Sequence, residues 1–274
     1  MLTRIIQSLM RRDHRIQTYL ITMVVGLMLP SLVFIGYLFI KTLTAEQTEA
    51  MSDIEDRTAG LAQVVDRQLA GNKVLVEVLA QAPSLTRGEL EGFYDFAKLA
   101  AETHGDTITL AERDGTFVLS TTKPYGTPLP RRTDMSIYGQ FFDQGQTFVS
   151  KATRGLIIHS TLFLVAAPFK RDGMVKYSVA MGVRAERLQP LLRGIPAGML
   201  AGIVDGAGTI LARSIEPDRF VGQPVPAEVM AGLHGADNGR LIASSLEGRP
   251  CVLAGQRVTG AAWWGLGGHP HAGG

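Results

Sequence analysis

The sequence predicts an α+β protein in which a long N-terminal helix leads into two modules, each built on an antiparallel sheet. Three observations predict this. A segment near the N-terminus is apolar and uncharged, apolar residues then recur at helical spacing to about residue 80, and strand-like alternation begins near residue 107. Runs of helix followed by runs of strands are typical of α+β folds. The order of these three patterns therefore defines the fold class.

Residues 19–40, YLITMVVGLMLPSLVFIGYLFI, are predicted to form a transmembrane helix. A helix over this segment would extend about 33 Å, which matches a hydrocarbon layer of about 30 Å. A cleaved signal peptide and a buried core helix are the alternatives. However, the apolar run is longer than a signal peptide requires, and no small-residue cleavage site follows it. A span tolerates Pro30 when a nearby hydroxyl, such as that of Ser31 or Thr22, satisfies the freed carbonyl.

The charges that flank this segment predict its orientation. Residues 1–18 form a basic flank, and we expect it to stay in the cytoplasm because Lys and Arg near a span are retained there. Part of this flank could alternatively lie along the inner membrane surface. Lys41 and an acidic stretch follow the segment, so the chain from about residue 42 is predicted to be extracytoplasmic, at a bacterial inner membrane. The basic residues of the flank are Arg4, Arg11, Arg12 and Arg15.

The composition of the external part excludes several functions. Of the 27 Lys and Arg residues, 5 lie before residue 42, as does 1 of the 25 Asp and Glu residues, so the remainder is nearly neutral. A nucleic-acid partner would require a basic face, and we expect none. The single cysteine, Cys251, excludes an internal disulfide and a Cys-rich zinc site. The sequence predicts no cofactor.

Catalytic and metal-binding motifs are also lacking from the sequence. Ser160 and His159 are neighbours on a predicted strand, so their side chains would point to opposite faces and could not act together. His269 and His271 have no third ligand nearby, and we predict no metal site there. We therefore expect this chain not to be an enzyme.

Residues 42–84 are predicted to form an amphipathic stalk helix. Its apolar stripe must be covered, either by the domain that follows or by the same helix of a second chain. We predict a homodimer through the stalk around Leu61, Val65 and Leu69. A further helix is predicted from Thr86, as its N-cap, to Gly105 just past its end. The stripe consists of Leu43, Ile54, Leu61, Val65, Leu69, Leu75 and Leu79.

Residues 85–190 are predicted to form a membrane-distal module. The turn Asp114-Gly115 joins two strands, and three more strands follow with turns near Arg154-Gly155 and Asp172-Gly173. Between the two groups lies an irregular insertion that is rich in proline and contains one short helix. Five antiparallel strands with a helical insertion between the second and the third have the order of PAS-like modules.

Residues 195–260 are predicted to form a smaller, membrane-proximal module of the same kind. Two strands meet at Asp205-Gly206 in a context that matches the first hairpin, and a short helix and further strands follow. This similarity indicates a weak duplication. The last residues, 261–274, are rich in glycine, and we predict that they form a disordered tail.

Three segments carry a resemblance to a known family: LAQVVDRQLAGNKVLVEVLAQAPSL, LAERDGTFVLSTTKPYGTPLP and RFVGQPVP. They resemble the N-terminal sensing halves of bacterial transmembrane sensor histidine kinases, and a stalk followed by two PAS-like modules is similar to the double Cache architecture. The resemblance implies a sensory input module of a two-component system, which binds a small molecule and signals through a second span to a kinase. A chemoreceptor or cyclase output, or a membrane-anchored module that binds only another protein, are the alternatives.

The end of the sequence departs from this family. After GQRVTG the family would be expected to show a final strand, a second span and the kinase, whereas this chain continues AAWWGLGGHPHAGG. We therefore expect a truncated or frameshifted product, which could sense a ligand but could not signal by phosphotransfer.

The resemblance also implies where a ligand would bind, between the sheet of the membrane-distal module and its insertion. The candidate residues combine aromatic surface, two cations and an acid, which suits a carboxylate or an amino acid. The alternative is that both arginines are solvated or paired with Asp134, and that Tyr125 only packs the loop. The candidates are Tyr125, Arg131, Arg132, Asp134, Tyr138 and Ser150.

Overall fold

The computed structural model describes residues 2–133, 139–234, 238–248 and 250–270, and it divides into two compact units, residues 1–53 and 54–274. The first unit is helical and belongs to α1, which is bounded by Leu2–Ala80. The remainder of α1 and all the strands belong to the second unit.

In the first unit, every described side chain between residues 23 and 38 is exposed. Pro30 lies inside α1, and the hydroxyl of Ser31 donates a hydrogen bond to the carbonyl oxygen of Leu27 at 3.0 Å, next to the carbonyl that proline leaves without its usual donor. Within the part of the chain that the structure describes, no helix reaches the length and hydropathy expected of a membrane span. The exposed large apolar residues are Met23, Val24, Leu27, Met28, Leu29, Leu32, Val33, Phe34, Ile35, Tyr37 and Leu38.

In the second unit, two helices follow α1: α2, Pro83–Arg87, and α3, Leu90–His104. Thr86 lies within α2, so its predicted role as an N-cap is wrong. The reason is Gly88, whose φ of 77° ends α2 and delays the next helix to Leu90. Gly105 ends α3 as predicted, with a φ of 69° and its N–H donated to the carbonyl of Ala101.

Sheet 1 contains six strands in the order β2-β1-β6-β5-β3, and β4 also pairs with β5. Its predicted hairpins are confirmed, because Gly115 turns β1 into β2, and Asp172 and Gly173 both take positive φ between β5 and β6. The insertion carries the short helix α4, Gly139–Gln144. The strands are β1 Thr107–Glu112, β2 Phe117–Ser120, β3 Phe148–Val149, β4 Thr153–Arg154, β5 Thr161–Arg171 and β6 Met174–Arg184.

A 3₁₀ helix, Ala185–Leu192, connects sheet 1 to sheet 2, whose strand order is β8-β7-β11-β10-β9. If β3 and β4 are counted as one broken edge strand, the two sheets share one topology. The elements after the connection are β7 Leu200–Val204, β8 Ile210–Arg213, α5 Pro217–Phe220, α6 Ala227–Leu233, β9 Asn238–Ser244, β10 Pro250–Val258 and β11 Trp263–Pro270.

The glycine-rich end of the chain is not a disordered tail where the structure describes it. Residues 263–270 form β11, which pairs with β10 on one side and with β7 on the other. Trp263 is buried, with its ring centroid 4.7 Å from that of Phe163, and Trp264 is buried in a separate cluster. The second module thus extends past its predicted end at residue 260, and AAWWGLGGHP supplies the final strand that the family is expected to have.

The stripe of α1 is covered by its own chain. Leu61 is 5% exposed, and Val65 and Leu69 are fully buried in a cluster that also includes one face of each sheet. The stripe is therefore covered by the domain that follows, and the prediction that these three side chains form a dimer contact is wrong. Hydrogen bonds also join α1 to the turn between β10 and β11, because the carboxylate of Asp66 accepts from the backbone N–H groups of Thr259 and Gly260.

Candidate functional site

The candidate site lies on the face of sheet 1 that does not pack against α1. Side chains alternate between the two faces of a strand. On β5, Phe163 and Val165 belong to the core cluster that contains α1, whereas Leu162 and Leu164 face the other side. In the centre of that second face the neighbouring strand β6 carries only Gly182 and Ala180, so the sheet leaves room there.

A narrow cavity of about 30 Å³ occupies this space. Its floor is the sheet, and its walls are the loop after β4 and Arg132 of the insertion. Most of the lining is apolar, and the polar groups are two threonines and one arginine. The lining residues are Thr107, Thr109, Phe117, Arg132, Gly155, Leu156, Ile157, Ile158, Leu162, Leu164 and Gly182.

The loop over the cavity depends on glycine at its first position. A Cβ on Gly155 would lie 2.7 Å from Cδ2 of Leu162, so a larger residue would require the Leu162 side chain or the loop to move. The loop is closed by hydrogen bonds from Gly155 N to Ser160 O and from His159 N to Gly155 O, and His159 takes a φ of 57°. The loop was not among the predicted site residues, although the predicted turn at Arg154-Gly155 and the apolar residues after it were the available signal.

Only one of the two adjacent arginines reaches the cavity. Arg132 is 7% exposed. Its backbone N–H donates a hydrogen bond to the backbone carbonyl of Gly115 at 2.9 Å, and its guanidinium carbon lies 5.8 Å from the ring centroid of Phe117. A buried guanidinium beside an aromatic ring suits the recognition of a hydrogen-bond acceptor or an anion.

Arg131 is instead exposed and attached to the first hairpin. Its guanidinium lies 3.0 Å from the carboxylate of Asp114 and also donates to the carbonyl of Asp114. Hydrogen bonds from Thr116, assisted by the charge of Arg131, hold the pKa of Asp114 below its ordinary value. Arg131 is therefore paired at the protein surface, with Asp114 as a partner.

The other candidates lie apart from the cavity or outside the described residues. Tyr125 is 41% exposed, and its ring centroid is 5.7 Å from that of Tyr94. Ser150 is buried, but its hydroxyl donates to Lys151 O and accepts from Leu164 N at the break between β3 and β4. Its hydroxyl is thus used by the backbone. Asp134 and Tyr138 lie outside the described residues.

Across the described residues, no group of three or more His, Cys, Asp or Glu side chains is arranged to hold a metal ion. The arrangement that the structure does provide is a small, mostly apolar cavity with a guanidinium in its lining, which can hold a small molecule that carries a hydrogen-bond acceptor.

Comparisons with known proteins support the fold. No family model matches the chain, and no curated protein matches it. Among solved structures, the extracellular domain of the candidate histidine kinase rpHK1S-Z16 matches with a TM-score of 0.66 at 12% identity, over 82% of this chain and 96% of that one. The ligand-binding domain of the Campylobacter jejuni chemoreceptor Tlp3 in complex with L-valine matches with a TM-score of 0.60 at 14% identity, over 83% and 95%.

A third structure, the ligand-binding domain of the Pseudomonas fluorescens chemoreceptor CtaA in complex with L-isoleucine, matches with a TM-score of 0.62 at 15% identity, over 83% and 95%. The chain therefore has the fold of the extracellular sensor domains of histidine kinases and chemoreceptors. This confirms the fold that the sequence resemblance implies.

Proposed function

We propose that this chain is the extracytoplasmic sensory module of a transmembrane receptor and binds a small molecule in the cavity of sheet 1. The observation that carries the proposal is the position of Arg132, a buried cation in the lining of a mostly apolar cavity. An arginine in such a place orients a carboxylate or carbonyl group, and the apolar walls take up the rest of the ligand. No catalytic role is proposed.

We infer that the ligand is a small carboxylate or amino acid. The similar structures of Tlp3 and CtaA contain L-valine and L-isoleucine, and the guanidinium of Arg132 in the cavity lining provides donors for a carboxylate. The cavity is small, at about 30 Å³. The proposal therefore favours the smallest candidates, such as glycine, alanine or acetate, over branched amino acids.

The membrane anchor at residues 19–40 is part of this proposal. It is supported by the uncharged sequence, by the basic flank before it and by the exposure of every large apolar side chain described between residues 23 and 38. We therefore propose that residues 1–18 lie in the cytoplasm and that the sensory module lies outside the inner membrane. A histidine kinase is the preferred output, with a chemoreceptor or cyclase as the alternative.

We also propose that the receptor acts as a homodimer, through the exposed face of α1 rather than its buried stripe. Val74 and Val78 are 59% and 54% exposed, and they continue a series with Gly60, Arg67 and Gly71 at the spacing of a coiled-coil seam. Cysteines placed singly at positions 67 and 74 should form disulfide-linked dimers in membranes, whereas a cysteine at position 69 should not. Crosslinking at position 69 alone would contradict this arrangement.

Thermal unfolding of the full chain in detergent micelles tests ligand binding. A ligand that binds only the native state raises the free energy of unfolding, by about 2.7 kcal/mol at a hundredfold excess over Kd. We expect a saturable rise in Tm with at least one small amino acid or carboxylate. The Arg132→Lys variant, which loses the planar fork of donors, should bind at least about tenfold more weakly.

Arg131→Lys is the matched control, because this neighbouring arginine is exposed and lies outside the cavity lining. It should leave the Kd unchanged. If both variants bind as the natural chain does, or if only Arg131→Lys weakens binding, the cavity is not the ligand site.

A further inference from the structure

The second module contains a cavity of its own. It has a volume of about 50 Å³ and lies on the face of sheet 2 that does not pack against α1. The first cavity lies on the corresponding face of sheet 1. Its walls are mostly aliphatic, and its polar residues are Arg213 and two serines. The lining includes Leu200, Ile210, Val225, Val229, Leu253 and Leu266.

Arg213 is the unusual member of this lining, because it is only 4% exposed. Its Nη2 contacts both carboxylate oxygens of Glu247 at 2.8 and 2.9 Å, and its guanidinium carbon lies 4.2 Å from the ring centroid of Phe220. Its Nη1 is buried and has no hydrogen-bond acceptor among the residues that the structure describes. A buried donor of this kind costs free energy until an acceptor reaches it.

The charges at this cavity determine which acceptor fits. Burial alone would raise the pKa of Glu247, but hydrogen bonds from Arg213 and neighbouring groups hold it below its ordinary value. The pair is therefore ionised, and the charge of Arg213 is already balanced. A ligand that brought a second carboxylate would leave an uncompensated buried charge, whereas a neutral carbonyl would satisfy Nη1 without one.

We propose that the cavity of the second module binds a small uncharged molecule with one carbonyl oxygen and an aliphatic body, such as a short ketone, lactone or amide. The carbonyl accepts from Nη1 of Arg213, and the aliphatic part contacts Val225, Val229 and Leu253. This site does not depend on the first cavity, because it uses a different sheet and a different arginine.

The position of Arg213 also connects this cavity to the segment between the modules. Gln189 lies in the 3₁₀ helix Ala185–Leu192. Its side-chain amide donates a hydrogen bond to the backbone carbonyl of Arg213 at 2.7 Å and accepts one from the backbone N–H of Arg213 at 3.2 Å. The backbone of Arg213 therefore links the wall of this cavity to the connection between the two sheets.

Methionine-methyl NMR of the full chain in micelles tests the proposal, with cyclopentanone and isobutyramide as probes. Met230 packs against the apolar cluster of this module, and its resonance can be assigned from a Met230→Leu variant. We expect a saturable shift of the Met230 methyl signal with either probe. Cyclopentane, which has the same body without an acceptor, should bind about tenfold more weakly, and isobutyrate should not compete.

Two variants and one control complete the experiment. Arg213→Lys removes Nη1 but keeps a cation beside Glu247, and it should weaken cyclopentanone binding about tenfold. Val225→Phe fills the cavity while Arg213 is retained, so it should abolish binding even if the first variant folds poorly. Arg219→Lys is the control, because Arg219 lies over the same Phe220 ring but is exposed.

Three results would overturn the proposal. These are no saturable shift with either probe in the natural chain, equal binding of cyclopentane and cyclopentanone, or binding that Val225→Phe leaves intact. Preferential binding of isobutyrate would equally overturn the assignment of an uncharged ligand. None of these results bears on Arg132, so the first cavity is tested separately.

Discussion

The substitution Gly267→Ala tests whether β11 packs directly against α1. A Cβ at this position would lie 2.2 Å from Oγ1 of Thr58 and 3.0 Å from Cε of Met199. Real Cβ contacts are not this short, so Thr58 or the helix must move. Thr58 is 2% exposed, and its hydroxyl donates to the carbonyl of Ile54 at 2.6 Å, which leaves the side chain little freedom.

The expected change in the free energy of unfolding follows from two destabilising effects and one stabilising effect. Overpacking of a core costs about 1–3 kcal/mol, and displacement of the Thr58 hydroxyl forfeits a hydrogen bond worth about 1 kcal/mol. Replacement of glycine by alanine within a strand raises the free energy of unfolding by about 0.5–1 kcal/mol, because glycine loses more conformational entropy on folding. We therefore expect Gly267→Ala to lower the free energy of unfolding by about 1–3 kcal/mol.

Urea unfolding of the full chain in micelles, followed by the fluorescence of Trp263 and Trp264, measures this change. Gly239→Ala in β9 is the matched control, because a Cβ there has no atom within 4 Å. It should be neutral or slightly stabilising. In the double variant Gly267→Ala/Thr58→Ala the clash is removed, so the two changes should be coupled favourably by about 1 kcal/mol or more.

Equal effects of Gly267→Ala and Gly239→Ala would refute the reasoning, as would strictly additive effects of Gly267→Ala and Thr58→Ala. Either result would mean that the glycines of β11 are not required for close approach of the helix.

Three further predictions concern the stripe of α1, the contact between the modules and the second cavity. Leu69→Ala should lower the free energy of unfolding by about 2–5 kcal/mol and Val74→Ala by no more than about 0.5 kcal/mol in urea unfolding; the reverse order would contradict the burial of the stripe. Asp205→Ala leaves three backbone N–H groups without their carboxylate acceptor, one of them in the first module, and should cost about 2–4 kcal/mol by the same measurement; a neutral result would exclude this contact. The pKa of Glu247 is lowered in the folded chain, so the stability from its pair with Arg213 is present above about pH 4.5 and lost as the pH falls. Urea midpoints from about pH 6 to about pH 3 should therefore fall more steeply for the natural chain than for Glu247→Gln, and parallel curves would disprove the pairing.

Local features of the fold could be predicted from the sequence because their physical causes are local. The helical spacing of Leu61, Val65 and Leu69 predicts an amphipathic helix whatever covers it. Asp114-Gly115 and Asp172-Gly173 predict tight turns because glycine, and to a lesser degree aspartate, accepts positive φ. Two successive sets of such signals were sufficient to indicate two related antiparallel modules.

The candidate site could be predicted only in part. The sequence indicated that the insertion of the first module would contribute an arginine, but Arg131 and Arg132 are chemically identical neighbours. Their roles differ because the backbone of Arg132 pairs with Gly115, which turns one side chain to the cavity and leaves the other with Asp114. That pairing joins residues distant in sequence, so no local pattern could reveal it.

By itself, the sequence determined the α+β class, the long helix and the hairpins, since each depends on backbone preferences and on the period of apolar residues within a short window. Only the tertiary structure decided what covers the stripe of α1 and what the glycine-rich end forms. Glycines such as Gly265 and Gly267 indicate disorder when they are considered alone. In the fold Gly267 is needed because Thr58 of the helix that packs against β11 lies too close to leave room for a Cβ.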